Sequence, residues 1–411
     1  MVYNLVTYYY IQEIIMKKIL SLVSLALIVV IAFTACAEAS STNTAATKTA
    51  TVTSAPTTDD TPFVLPDYAL AYDAKDVIFA PEGIMNYMNA EFTISTRKPD
   101  VTIRDFAVGS EEKNAPTPVI LAWKDTGAKE YTLCLSTKSD LSGALTYKTD
   151  KNEISVVNLL VGTEYFWCVK DGDKDVTPVY SFTTSANQPR TLSVEGVNNF
   201  RDIGGVPSSL AEGAMVKQGL IYRSANMDEI TDAGTDVFVN VLGIKTDLDL
   251  RANDEDDREA FPSEKLEAAG VKYVNCAICN YEKIYNKKYA DQIEEVRKAI
   301  EVFADPANYP IDFHCAIGTD RTGTIGYVLQ ALLGVDDVTA YKHYYLSWFS
   351  DFGEDSDARV DSMFQMHNRL LKFESKDLSL AENVEAYLLS IGVTQEQIDS
   401  IRNIMIEYPE A

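Results

Sequence analysis

Ten consecutive residues, His314-Cys315-Ala316-Ile317-Gly318-Thr319-Asp320-Arg321-Thr322-Gly323, constrain this chain more than any other stretch. Before them, Tyr309-Pro310-Ile311-Asp312-Phe313-His314 alternates apolar and polar residues and predicts a short strand. After them, residues 322–333 carry apolar side chains at helical spacing. A strand, a tight loop and a helix in that order aim backbone N–H groups and the positive helix end at one point. Such a point attracts an anion.

The residue types within the loop suit that anion. Cys315 at a positive spot loses its proton readily, and the thiolate is the form that attacks. Arg321 offers a planar fork that holds two phosphoryl oxygens and stays charged. Thr322 is placed to hydrogen-bond the sulfur and to help it leave when a thiophosphate breaks down. Ala316, Ile317, Gly318, Thr319 and Gly323 supply the wrapping backbone, the two glycines allowing angles or approaches that a side chain would block. His314 is read as orienting the cysteine loop by hydrogen bonding.

This constellation resembles the cysteine-dependent phosphatases and, among them, the bacterial tyrosine phosphatase family of atypical lipid phosphatases. Three more segments carry the resemblance, in the family's order, from about residue 190 onward. They are Asn199-Phe200-Arg201-Asp202-Ile203-Gly204-Gly205, Gly219-Leu220-Ile221-Tyr222-Arg223-Ser224, and Leu242-Gly243-Ile244-Lys245-Thr246-Asp247-Leu248-Asp249-Leu250-Arg251. The resemblance implies an α/β domain with a central, mostly parallel sheet flanked by helices. It also implies hydrolysis of phosphate monoesters through a phosphocysteine, with no metal or other cofactor. Phosphotyrosine protein is the first substrate expected, with inositol phosphate, phosphoinositide and small phosphate esters open. Two positions depart from the family. Thr319 stands where lipid-active members carry lysine, and His343-Tyr344 stands where an Asp-Tyr pair is usual.

The acid that would protonate the leaving group is not fixed by the pattern. Related enzymes place an aspartate after the strand read here at residues 271–274, but Asn275-Cys276-Ala277-Ile278-Cys279-Asn280-Tyr281-Glu282 holds none. Asp320 is the first candidate, with bracing of the loop as its other role, and Glu282 the second. Arg201 and Arg223 could steer an anionic substrate. Paired as Asp202 with Arg223 and Asp249 with Arg251, the charges would instead tie strand ends together, and this reading is favoured.

The chain has 411 residues, enough for two or three domains, with 36 Lys plus Arg against 61 Asp plus Glu and a formal net charge of −25. That surface argues against a nucleic-acid partner and against anionic membrane surfaces. Phosphate affinity has to come from a local cationic pocket.

At the N-terminus, Met16-Lys17-Lys18 opens an apolar run over residues 19–33 that ends at Ala35-Cys36. This reads as a lipoprotein signal peptide over residues 1–36, with Met16 as the start, Cys36 as the lipidated residue, and a mature protein anchored outside the cytoplasm on a bacterial membrane. An uncleaved membrane anchor is the other reading. Residues 37–62, rich in Ser, Thr and Ala, make a flexible tether. Residues 63–187 read as an all-β sandwich, with alternation at Val119-Ile120-Leu121-Ala122-Trp123, Tyr131-Thr132-Leu133-Cys134-Leu135, Tyr165-Phe166-Trp167-Cys168-Val169 and Tyr180-Ser181-Phe182. This resembles a fibronectin type III module, in which a tyrosine such as Tyr165 forms a corner, although residues before about 91 fit it poorly.

The α/β domain then spans residues 188–411. Cys134 and Cys168 fall on neighbouring strands, either as a disulfide or as two thiols, and Cys276 and Cys279 are read as lining the rim of the pocket. Residues 338–349, 381–391 and 395–408 predict helices, the last capped by Thr394 and Gln397. Tyr341, Tyr344, Tyr345 and Trp348 either shape the pocket entrance or belong to the core. The alternative to an enzyme is a surface binding protein whose fold has lost catalysis and whose β-sandwich grips a partner.

Overall fold

The computed structural model describes residues 63–92, 94, 103–107, 113–252, 260–350 and 356–409. The signal segment, Cys36 and the tether over residues 37–62 lie outside the described residues. No described helix is long and apolar enough to cross a membrane.

Helix α1 (Glu82–Asn89) precedes seven strands: β1 (Val119–Ala122), β2 (Tyr131–Ser136), β3 (Leu145–Thr149), β4 (Glu153–Val156), β5 (Glu164–Asp171), β6 (Lys174–Asp175) and β7 (Tyr180–Thr183). β1 and β4 form one antiparallel pair, and β3-β2-β5-β6 form a second sheet in which β7 also pairs with β5. Alternation along β2 and β5 sends Tyr131, Leu133, Leu135, Tyr165, Trp167 and Val169 into one apolar core with Trp123. The Trp123 ring meets Tyr131 edge-on, with centroids 5.4 Å apart. The Tyr165 hydroxyl accepts a hydrogen bond from the Leu160 N–H at 2.7 Å, tying the strand to the turn before it. Cys134 and Cys168 sit directly opposite each other on β2 and β5, both as free thiols.

The segment holding α1 leaves that core. Phe79 packs within it, whereas Ile84, Tyr87 and Ile103 pack into the core of the C-terminal region. The Lys342 Nζ donates to the Met88 and Ala90 carbonyls at 2.9 and 2.6 Å, closing the C-terminal end of α1. Residues 82–89 therefore do not follow a sandwich pattern, because their apolar face packs against the C-terminal core, whereas Leu70, Tyr72, Val77 and Phe79 pack with the strands.

The C-terminal region begins with β8 (Arg201–Asp202), β9 (Val206–Pro207), β10 (Met215–Val216), β11 (Ile221–Ser224) and α2 (Asp232–Asp236). It continues with β12 (Thr246–Asp249), α3 (Glu264–Ala268), β13 (Lys272–Asn275), α4 (Ala290–Ala304), β14 (Ile311–His314) and α5 (Asp320–Leu332). Its main sheet has the order β13-β12-β14-β11-β8. The first four strands are mutually parallel and β8 is antiparallel. All four residues of the central β14 are buried, as expected where a parallel sheet is covered on both faces. α5 is buried from Thr322 to Leu332, and α4 contributes Val296, Ala299, Ile300 and Phe303 to the same core.

Four helices close the chain: α6 (Asp337–Tyr345), α7 (Asp357–Leu370), α8 (Leu380–Ser390) and α9 (Gln395–Met405). α6 stops at Tyr345 and tightens into a 3₁₀ turn, Leu346–Phe349, short of the single helix read over residues 338–349. The Thr394–Gln397 capping box opens α9. The helix read to residue 408 ends at Met405 instead, where the chain turns into β15 (Ile406–Glu407) and pairs with β10.

Candidate active site

The parallel register of β11 with β14 pairs Ser224 with His314, so the residues after each strand end lie side by side. Three carbonyls of the loop after β14 are taken by neighbours. Ala316 O accepts from Asn226 Nδ2 at 2.7 Å, Ile317 O from Asn199 Nδ2 at 2.9 Å, and Gly318 O from Arg223 Nη2 at 2.8 Å. These three bonds tie the loop to the segments before β8 and at the end of β11. Gly318 makes the turn at φ +71°, and a Cβ there would lie 2.3 Å from the Ser224 carbonyl oxygen. Gly323 has a similar role one helical turn on, since a Cβ would meet the Tyr344 ring at 2.6 Å.

Cys315 begins this loop, 1% exposed. Burial alone would push its thiol up. Arg321 outweighs burial, helped by the hydroxyl and N–H of Thr322, and holds the thiol below its ordinary value, while Asp320 opposes. The Thr322 hydroxyl is buried without a hydrogen-bond partner, and its influence on the neighbouring Cys315 is to lower the thiol. The Thr319 hydroxyl, at the family's lysine position, is likewise buried without a hydrogen-bond partner.

Beneath the loop lies a polar floor. His314 Nε2 is 2.9 Å from Asp247 Oδ1, within ion-pair range, and its Nδ1 approaches both Asp249 and the Cys315 carbonyl oxygen, the latter at 3.2 Å. Burial would lower this imidazole, but Asp247 and Asp249 prevail and lift it to about 10, so it is a cation at neutral pH. Asp312, reached by the Ser224 hydroxyl at 2.9 Å, is pushed up by burial to about 7. Asp249 also takes the Arg251 guanidinium, whose Nη1 reaches Asp228 at 3.0 Å. The pairing expected between Asp249 and Arg251 is present.

The expected pairing of Asp202 with Arg223 is not. Asp202 pairs with Arg190 at 2.7 Å, and Arg190 also donates to the Leu159 and Asn158 carbonyls on the turn before β5. Arg223 is buried under the loop, bound to Gly318 O. Arg201 donates to Ser347 Oγ at 2.8 Å and to the carbonyls of Asn199 and His343. These two arginines support the loop and the neighbouring helix end. Burial first, then Arg201 and Arg223, push His343 down to about 3, so a neutral imidazole bonded to Gln330 at 2.8 Å occupies the site of the family's acid.

At the lip, Asp320 accepts from Arg359 Nε at 3.0 Å and Nη2 at 3.2 Å, and from the Tyr281 hydroxyl. The Tyr281 hydroxyl also bonds that of Tyr344. Tyr281 is placed by its N–H, which donates to Thr324 Oγ1 at 2.9 Å. Glu282, next to it, leaves one carboxylate oxygen buried without a hydrogen-bond partner, and its charge acts on Tyr285. Tyr341, Tyr344, Tyr345 and Trp348 are buried in a ring cluster continuous with the core. Cys276 and Cys279 also belong to the core and not to the rim, their thiols raised by burial to about 12 and about 11.

Sequence reading missed Asn226, Tyr281, Arg359 and Arg190. Asn199 lay within one of the family-like segments without a role. None of these carries a local signature, because each acts on residues 12 or more positions away.

The sequence model of the tyrosine phosphatase family matches residues 192–407, more than half of the chain. A tyrosine-protein phosphatase of Nostoc commune is 26% identical over 217 residues, covering 44% of this chain and 72% of that protein. Among solved structures, the chain is similar to the core catalytic domain of the PP-IP phosphatase SIW14 from S. cerevisiae, in complex with citrate. That match has 22% identity, covers 36% of this chain and 81% of the other, and has a TM-score of 0.27. It is also similar to P. aeruginosa TpbA, with 16% identity, 48% and 94% coverage and a TM-score of 0.20. The chain belongs to the tyrosine phosphatase family, and it is a phosphatase.

Proposed function

We propose that the chain hydrolyses phosphate monoesters through a phosphocysteine, with phosphotyrosine in protein as the substrate class. The observation that carries this reading is the buried Cys315 in the loop between β14 and the start of α5, with Arg321 and Thr322 beside it acting to lower its thiol. The thiolate attacks phosphorus in line while Arg321 and the N–H groups of residues 316–321 hold the three peripheral oxygens. The P–O bond to the leaving group breaks, and water then attacks the thiophosphate, returning the electron pair to sulfur with the Thr322 hydroxyl beside it. Thr319, in place of the family's lysine, weighs against phosphoinositides.

In this reading residues 1–36 are a lipoprotein signal, Cys36 carries the lipid, and the enzyme works outside the cytoplasm on a membrane anchor. The β-sheet region from β1 to β7 is a fibronectin type III-like module, supported by the Tyr165-to-Leu160 bond. The test is phosphate release from p-nitrophenyl phosphate and a phosphotyrosine peptide, with rapid quench and mass spectrometry of the Cys315 peptide. Wild type is expected to turn over and to carry phosphate on Cys315, and Cys315→Ser to lose all activity. Turnover that survives Cys315→Ser would end the proposal.

A further inference from the structure

Asp320 opens α5 directly before Arg321, and its charge works against the Cys315 thiolate. A negative group in that place also repels a phosphate dianion, so its presence needs an explanation. The structure supplies one from α7. Arg359 stands in the first turn of that helix, its N–H capped by Ser356 Oγ at 3.2 Å, and Met363, Met366 and Leu370 fix the helix in the core. From there its guanidinium meets Asp320 through Nε and Nη2, the paired geometry that makes such bonds strong and directional.

The hydrogen bonds occupy three acceptor positions of the carboxylate. Oδ1 accepts from both Arg359 Nε and the Tyr281 hydroxyl, which fills its two lone pairs. Oδ2 accepts from Nη2 and keeps one lone pair. A proton placed there would sit beside a permanent cation and would cost the pair its charge assistance. Among the described residues, the remaining groups around Asp320 are Arg321 on its own helix, Cys315 below, and Tyr344, which reaches it through Tyr281.

We propose that Arg359 is a positioning residue that holds Asp320 as a carboxylate brace and cancels its charge beside Cys315 and the incoming phosphate, so that Asp320 is not the leaving-group acid. This rests on Cys315 being the nucleophile. The Tyr281–Asp320–Arg359 group then has a mechanical role as well. It pins the first turn of α5, and with it Arg321, to elements outside the loop.

The test uses the full chain as Arg359→Gln, Arg359→Lys, Asp320→Asn and the double variant Arg359→Gln/Asp320→Asn. Two quantities are followed against pH: hydrolysis of p-nitrophenyl, phenyl and alkyl phosphates, and the rate at which iodoacetamide alkylates the Cys315 peptide. Arg359→Gln is expected to lower kcat/KM about tenfold, mainly through KM, and to move alkylation to higher pH. Arg359→Lys, with charge but no fork, falls between. Asp320→Asn in the Arg359→Gln background restores both quantities, because it removes the charge left unbalanced. A double variant worse than Arg359→Gln would overturn the proposal. So would an Asp320→Asn enzyme whose losses grow steadily as the leaving group becomes poorer. Should Arg359→Gln fail to fold, the leaving-group series on Asp320→Asn alone decides. Alkylation needs no turnover, so a wild type with a reactive thiol and no hydrolysis would refute the phosphocysteine reading separately.

Discussion

Cys315, at the end of β14, and Cys168, in the middle of β5, are both almost wholly buried. Burial raises the Cys168 thiol to about 11, and the neighbouring Cys134 adds to the rise. At Cys315 the same burial is overcome. The difference lies in what the surrounding backbone is doing. Residue 168 sits within an antiparallel ladder, paired with Cys134 of β2, next to Trp167, which pairs with Tyr180 of β7. Residue 315 follows the last ladder residue and precedes a helix, so it lies outside the ladder, beside the Thr322 N–H and the Arg321 charge that lower its thiol. A buried thiol becomes a thiolate only where oriented donors and a cation are already in place.

The contrast extends to the two cores. The one containing Trp123 and Trp167 is built of apolar side chains. The one beneath the loop sets Asp247, Asp249, Asp312 and His314 under the nucleophile. A sheet needs only the first kind to be stable; the second keeps a loop in one shape.

The contrast can be broken from either side. The largest effect is expected at Arg321. Arg321→Lys keeps a charge and loses the fork, and should reduce kcat by about 10²–10³-fold in steady-state phosphate release. A loss below about threefold would mean that the guanidinium does not hold the transferring group. On the other side, Trp123→Ala should destabilise the chain by about 3–5 kcal/mol in denaturant unfolding, while the folded enzyme keeps its kcat within about twofold. A large drop in kcat with unchanged stability would show that the region from β1 to β7 contributes to the chemistry.

How far the sequence carried the reading follows from the range of each interaction. The loop from His314 to Gly323 was legible because its nucleophile, cation, hydroxyl and glycines are contiguous. Its supports were not, since Asn199 and Asn226 reach it only through the pairing of β11 with β14. Alternation located β14 but said nothing of what its polar side meets. Asp312 and His314 point instead into a floor of opposite charges, which periodicity cannot report. Tyr281 and Arg359 were hidden in the same way, each ordinary until α7 and the turn after β13 meet at Asp320. The α1 segment resisted assignment because its apolar residues answer a core that forms far along the chain.

The central claim, that neighbours and not burial set the state of Cys315, is tested most directly by alkylating the folded chain across pH and reading the Cys315 and Cys168 peptides from one digest. A lowered thiol deprotonates first as pH rises. Cys315 should therefore reach half-maximal reactivity below the ordinary cysteine value of 9.0, while Cys168 stays inert until about pH 11. Equal titration of the two thiols, or Cys168 reacting first, would contradict the account.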